Sequence, residues 1–197
     1  MPAEKNKNKT SGNNRPKKVT AGYLERAALH YLGRFSTSQS NLEAVLVRKI
    51  RRRNEGFAAP SDEQLTWVKD VVSKCVKYGY VDDSRYAQQR AESMLRRGKP
   101  VRMIAMDLKQ KGISEEEIAT TIETLQEESN VDMNRSAAAA FIKRRRFGCF
   151  RRPIEDREAL LQKQQKELAS MARAGFGFEI SKEILGLAED EIIELLV

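Results

Sequence analysis

Gly79-Tyr-Val-Asp-Asp-Ser-Arg-Tyr-Ala87, followed by Leu95-Arg-Arg-Gly-Lys-Pro-Val-Arg-Met-Ile-Ala-Met-Asp-Leu-Lys-Gln-Lys-Gly-Ile113, decides the fold. The stretch alternates helix stops with helix starts. Gly79 closes one helix, because glycine takes the left-handed turn at little cost. Asp82 or Asp83 caps the next, accepting hydrogen bonds from unpaired N–H groups at the positive end of the helix dipole. Tyr86, Ala87, Ala91, Met94 and Leu95 share one face of that helix, and Gly98 ends it. Pro100 falls where a first helical turn tolerates proline. Ile104 and Leu108 mark a second helix, stopped by Gly112. Ser114 and Glu117 have capping-box spacing and open a third, with Ile118, Ile122 and Leu125 inward.

Working outward, similar units lie on both sides. Upstream, Thr20 caps a helix carrying Leu24, Ala27, Ala28, Tyr31 and Leu32. Ser40 or Asn41 then caps one carrying Leu42, Val45, Leu46 and Ile50, and Pro60-Ser-Asp-Glu63 opens one facing inward through Leu65, Val68, Val72, Cys75 and Val76. Downstream, a helix from Ala137 to Phe141 runs into Lys143-Arg-Arg-Arg-Phe-Gly148. A long charged helix covers Glu155–Ala174 and carries Leu160, Leu161, Leu168 and Met171, Gly175 stops it, and Ile180, Ile184 and Leu185 mark a last short helix. The acidic end from Ala188 reads as one more turn or a frayed terminus.

Register supports repetition. Leu42, Leu46 and Lys49 match Ile104, Leu108 and Lys111 at an offset of 62 residues. Leu108, Gly112, Ile113, Ile118 and Ile122 match Met171, Gly175, Phe176, Ile180 and Ile184 at 62 or 63. No segment alternates with period two, so the expectation is an all-α, elongated tandem array of three-helix, helix-turn-helix-like repeats. The expected division is a disordered basic tail over 1–18, then repeats over 19–82, 83–129 and 130–197.

The chain has 197 residues and a formal charge of +8, unevenly placed. Residues 1–18 hold six basic and one acidic side chain and almost nothing apolar, whereas the other 179 residues hold 30 basic and 27 acidic ones. The folded part is therefore mildly basic, and any polyanion argument rests on local clusters. Cys75 and Cys149 have neither metal spacing nor a disulfide framework, which fits a reducing cytoplasm. Cys75 reads as a small core hydrophobe. No apolar run approaches the roughly 18 residues of a membrane span, and no signal-peptide pattern opens the chain.

The block over residues 79–113 resembles the RecX family of RecA-recombinase modulators. The carrying residues are Gly79-Tyr-Val-Asp-Asp-x-Arg-Tyr-Ala87, Arg97-Gly-Lys-Pro100 with Ile104, and Leu108-Lys-Gln-Lys-Gly-Ile113. Arg145-Arg-Phe-Gly148 and Gly175-Phe176 with Ile180 and Ile184 resemble the family's third repeat. The likeness spans about residues 20–190. Lys99-Pro100 replaces a second glycine of the family pattern, Phe35 stands where a second basic residue is usual, and the loop from Gly56 to Asp62 is long. The resemblance implies three-helix repeats, no cofactor, no metal and no catalysis. It implies a monomer that binds the RecA–DNA filament, with single- or double-stranded DNA, and restrains its ATPase and strand exchange in recombination, repair and the SOS response. In that reading Gly79, Asp82, Asp83, Tyr86, Gly98, Leu108, Gly112, Phe147 and Gly175 are structural.

Candidate contacts form clusters. Arg48, Lys49, Arg51, Arg52 and Arg53 make the first, and Arg96, Arg97, Lys99 and Arg102 the second, with Lys109 and Lys111 beyond. Lys143, Arg144, Arg145 and Arg146, with Arg151 and Arg152, make the third. Recurring at equivalent places in successive repeats, they would form a stripe suited to a linear polyanion. The plainer reading is solvated faces with cations that favour helix C-termini. Tyr80-Val-Asp-Asp83 matches the metal-binding tetrapeptide of reverse transcriptases, but helical periodicity flanks it where that chemistry needs strands. His30 has no nucleophile beside it in sequence, and Trp67 reads as packing or a partner contact. The competing functions are a free-standing DNA- or RNA-binding helical-repeat protein and an adaptor for an acidic protein surface. Salt-titrated DNA binding with and without RecA separates them.

Overall fold

The structure, a computed structural model, describes residues 18–196, so the expected basic tail lies outside the described residues except for Lys18. Among them are ten α-helices, two short 3-10 turns and no strand. In chain order the helices can be taken three at a time, as three successive triplets with a short tenth helix at the end. The chain divides into two compact units: Leu42–Tyr80 with the described residues up to Phe35, and Ser36–Asn41 with the described residues from Val81 on.

The first unit holds α1 (Ala21–Leu32), most of α2 (Gln39–Arg53) and α3 (Asp62–Lys77). Leu24, Ala27 and Ala28 of α1 are buried, and so are Leu42, Val45, Leu46 and Ile50 of α2. On α3 the buried residues are Val68, Val71, Val72 and Cys75, one i, i+3, i+4, i+7 stripe. Leu65 and Val76, expected inside, lie at the edges of this stripe and are exposed, and Val71, absent from the expected face, is buried. Burial pushes the Cys75 thiol up, consistent with a packing role. The Thr20 hydroxyl accepts the Tyr23 N–H at 3.2 Å, and Ser61 and Gln64 cap each other reciprocally. The long loop before α3 is tied down by Asn54, whose amide donates to the carbonyls of Ala58 and Ala59.

The second unit holds α4 (Asp83–Arg96), α5 (Val101–Gln110), α6 (Glu115–Glu127), α7 (Met133–Arg145), α8 (Arg157–Ala174), α9 (Phe178–Gly186) and α10 (Glu189–Glu194). Tyr86, Ala87, Ala91, Ile104, Leu108, Ile113, Ile118 and Leu125 form one core. Ala138, Phe141, Ile142, Phe147, Met171, Phe176, Ile184 and Ile192 belong to the next. Leu95 packs against both, so the second and third triplets share a wall. Leu108 and Met171, matched by the repeat offset, are each fully buried. The acidic end does not fray: α10 buries Ile192, and Glu191 accepts the Ala188 N–H at 2.8 Å.

Gly79, Gly98, Gly112 and Gly175 all have φ between +65° and +99°, the left-handed conformation expected of helix stops. Asp82 caps α4 by accepting the Arg85 N–H at 2.9 Å. Asp83 instead accepts the Gln39 N–H at 2.8 Å, at the start of α2. That start differs from the Ser40 or Asn41 expectation. The cap is buried Ser38, whose hydroxyl accepts the Asn41 N–H at 3.3 Å and donates to the Lys111 carbonyl at 2.5 Å. Ser114 caps α6, but Glu117 does not complete the capping box, because its carboxylate takes the Ser84 hydroxyl. Pro100 is the N-cap of α5 rather than a residue inside its first turn, and the Val101 N–H is satisfied at 3.0 Å by Asn134 of α7. Helix α7 begins four residues before Ala137, since Asp132 caps it through the Arg135 N–H. Asp156 likewise starts α8.

Both aspartates of the Tyr80–Asp83 tetrapeptide are therefore engaged by backbone. Burial pushes the Asp83 carboxyl up, against the lowering effect of the Gln39 N–H, and Glu117 and Asp82 add to the rise. Asp82→Ala should cost about 1 kcal/mol, the usual loss of a cap. Asp83→Asn should cost less, because it keeps an acceptor for Gln39 and removes a charge that burial disfavours. Urea unfolding of the two variants checks the order; an Asp83→Asn loss exceeding that of Asp82→Ala would contradict it.

Candidate functional site

The cationic clusters sit at helix ends. Lys143, Arg144 and Arg145 are the last turn of α7, and Arg146 is its left-handed C-cap. Arg96 ends α4, Arg97 is its C-cap, and Lys99 and Arg102 flank the start of α5. The second and third clusters are thus equivalent, each at the end of the first helix of its triplet. The first cluster is not. Arg51, Arg52 and Arg53 end α2, the second helix of its triplet, so their counterparts are Lys109 and Lys111 at the end of α5. The first-triplet counterpart of Arg96 is Arg34, exposed just beyond α1. The sequence reading missed it as a single cation, although it stands 62 residues before Arg96, the repeat offset itself.

Exposure separates the candidates. Arg48, Arg51 and Arg52 are exposed, Lys49 is half-buried, and Arg53 lies over the Tyr23 ring with its guanidinium carbon 3.7 Å from the centroid. Arg97, Lys99 and Arg102 are exposed, as are all four residues from Lys143 to Arg146. Arg96 is exposed with Glu92 at 3.5 Å, and Lys109 is paired with Glu115. Both pairs face solvent and restrain their cations only weakly. Lys111 is half-buried, and its carbonyl takes the Ser38 hydroxyl. Arg144 and Arg145 stand 5.8 and 5.7 Å from the Phe141 and Phe147 rings, so buried aromatics support the base of the third cluster.

Two arginines are withdrawn. Arg151, counted with the third cluster, forks onto Glu167 at 2.9 and 2.7 Å, and Glu167 is 1% exposed. The carboxylate raises the Arg151 pKa and fixes its charge inside the fold. Arg152 remains exposed. Arg90 forks in the same way onto Asp107, through Nη2–Oδ1 at 2.8 Å and Nε–Oδ2. The Arg90 guanidinium holds the Asp107 carboxyl below the usual carboxylate range, against a smaller opposing effect of burial. A depressed native pKa adds stability above the unfolded pKa, lost as pH falls through the native value.

Among the described residues no group of three or more His, Cys, Asp or Glu side chains could hold a metal ion. His30 is exposed on α1, and Trp67 is half-buried on α3. No described helix is long and apolar enough to cross a membrane.

The model of the second three-helix domain of RecX matches residues 82–122, which spans α4 and α5 and most of α6. A regulatory protein RecX from Myxococcus xanthus is 36% identical over 179 residues, covering 91% of this chain and 92% of its own. One from Agrobacterium fabrum is 29% identical, covering 88% of each. The crystal structure of RecX from Lactobacillus salivarius superposes with a TM-score of 0.55 at 17% identity, over 89% of this chain and 96% of that one, and supports the fold alone. With the helical triplets, their glycine stops and this near-full-length identity together, the chain belongs to the RecX family.

Proposed function

We propose that the chain is a non-enzymatic inhibitor of the RecA recombinase. It binds as a monomer along the RecA–DNA filament in the cytoplasm and restrains ATP turnover and strand exchange. Family membership supports the regulatory role. The observation that carries the filament reading is the pair of equivalent cationic helix ends in the second unit. Arg97, Lys99 and Arg102 at one, and Lys143 to Arg146 at the other, are exposed and form no ion pair with another described residue. A helix C-terminus gains only about 0.3–1 kcal/mol from a cation, so dipole complementarity gives no reason for four consecutive ones. Repeated clusters suit a repeating polyanion, where linked weak contacts raise one another's effective concentration.

The test is RecA ATP turnover on single-stranded DNA. Added wild-type protein should lower it. Arg96→Glu, Arg97→Glu and Arg102→Glu together should raise the concentration needed by about tenfold or more, and raised salt should mimic the loss, since each neutralised phosphate steepens the salt dependence. Turnover unchanged at saturating wild-type protein removes the inhibitor reading. A reversed variant as potent as wild type reduces the clusters to solvated faces.

A further inference from the structure

A trough in the second unit opens beside the end of α4 and encloses about 450 Å³. Gln89, Ser93 and Arg97 line one wall at spacings of four residues, so they stand in a row along α4. Lys99 and Ser36 line it too, as do Met94 and the mostly buried Tyr86, its apolar and aromatic members. Its one carboxylate, Asp107, is occupied by Arg90 through two hydrogen bonds. Three cations thus face one acid. Arg97 and Lys99 are left without an ion pair among the described residues, beside a carboxamide and two hydroxyls.

We infer that this trough holds one backbone phosphate of a single nucleic-acid strand, with the adjoining sugar or base against Met94 and Tyr86. The inference rests on the reading of nucleic acid as a partner and names where a strand is gripped. Two unmatched cations with neutral donors between them suit a phosphodiester, whose charge is spread over oxygens that accept from several directions. An apolar flank beside the donors suits a nucleotide rather than a bare ion. The Arg90–Asp107 pair sets the strength of the grip: Asp107 cancels one of three cations and holds Arg90 against the wall. Arg90 is in this sense a positioning residue, and Asp107 a restraint on affinity.

The experiment is a fluorescence-anisotropy titration of a dye-labelled oligothymidylate with the full chain and no RecA, at two salt concentrations. Arg97→Ala with Lys99→Ala should weaken binding about tenfold and flatten the salt dependence by about one phosphate contact. Ser93→Gln, which fills the trough without changing charge, should weaken it several-fold, and so should Gln89→Ala, a neutral variant at an exposed position. Asp107→Asn should tighten binding by releasing Arg90. Helical circular dichroism and the thermal midpoint confirm that each variant is folded. If the neutral variants and Asp107→Asn all bind as wild type does, the cations act as a diffuse field and the trough is no site. If an oligoglutamate competes as well as unlabelled strand at equal charge, the site belongs to an acidic protein segment. If inorganic phosphate alone displaces the strand at equal concentration, the site is one for the free ion. A chain that grips the strand through the trough but leaves RecA turnover unchanged keeps this inference and loses the proposed function. A chain that restrains RecA while every trough variant binds DNA normally does the reverse.

Discussion

Gly98→Ala should destabilise the second unit by about 3 kcal/mol or more, as left-handed strain and overpacking add. Gly98 has φ +65°, a conformation that costs a side chain about 1 kcal/mol before any contact is counted. A Cβ there would lie 2.6 Å from the Phe141 nitrogen, 2.8 Å from the Ala137 carbonyl oxygen and 2.8 Å from the Phe141 Cα. All three are backbone atoms inside α7, so no side chain can swing aside. The end of α4 would have to move off α7, opening the wall that Leu95 shares between the two cores. Gly79 is the control: its φ is +70°, yet a Cβ would meet nothing within 4 Å. Gly79→Ala should therefore cost only the conformational part, about 1 kcal/mol. Urea denaturation followed by helical circular dichroism reads both. Equal losses would mean that α4 and α7 do not touch as closely as described. Because Gly98 stands between Arg97 and Lys99, its variant should also weaken any function that uses those two cations together.

The contrast between these glycines shows how far the sequence could be read. The positive φ of a helix stop is a local property, so Gly79, Gly98, Gly112 and Gly175 were legible one residue at a time. What each glycine approaches is not local. Nothing around residue 98 shows that the backbone of residues 137–141 lies against it. Caps divide in the same way. Asp82 serves the helix it precedes and was legible, whereas Asp83 serves Gln39, 44 residues away, and Ser38 answers to Lys111, 73 residues away. The basic clusters were visible as composition, but the length of each helix decides which end a cluster occupies. The first cluster therefore ends the second helix of its triplet, and the end of the first helix carries only the single cation Arg34. Arg151 and Arg152 are indistinguishable as letters. A carboxylate 16 residues on withdraws the first and leaves the second in solvent. Glu167 gave no sign of this, because α8 is dense with charges and a glutamate there reads as solvent-facing.

Glu167→Ala should cost about 3–5 kcal/mol, the range for breaking a buried pair by removing one partner. The carboxylate accepts Arg151 Nε at 2.9 Å and Nη2 at 2.7 Å, and the Gly148 N–H at 3.2 Å. Its loss would leave the guanidinium of Arg151, whose side chain is 14% exposed, without its counter-charge, and the Gly148 N–H without an acceptor. Glu167→Gln keeps the shape and an acceptor for Gly148 and should cost less. Glu167→Leu combined with Arg151→Met removes both charges, so it should recover most of the loss, since apolar replacement of a whole buried pair is often neutral or better. The consequence reaches the surface. Arg146 is held at φ +56°, a left-handed conformation that a residue with a side chain adopts at a cost, and the next turn passes through Gly148, where Glu167 is anchored. Cutting that anchor should loosen the turn that carries the end of the third cluster. Amide exchange at Phe147 and Gly148 should accelerate in Glu167→Ala well beyond what the global loss of stability explains. Exchange that tracks global unfolding alone would show that the pair stabilises the third triplet without shaping its cationic end.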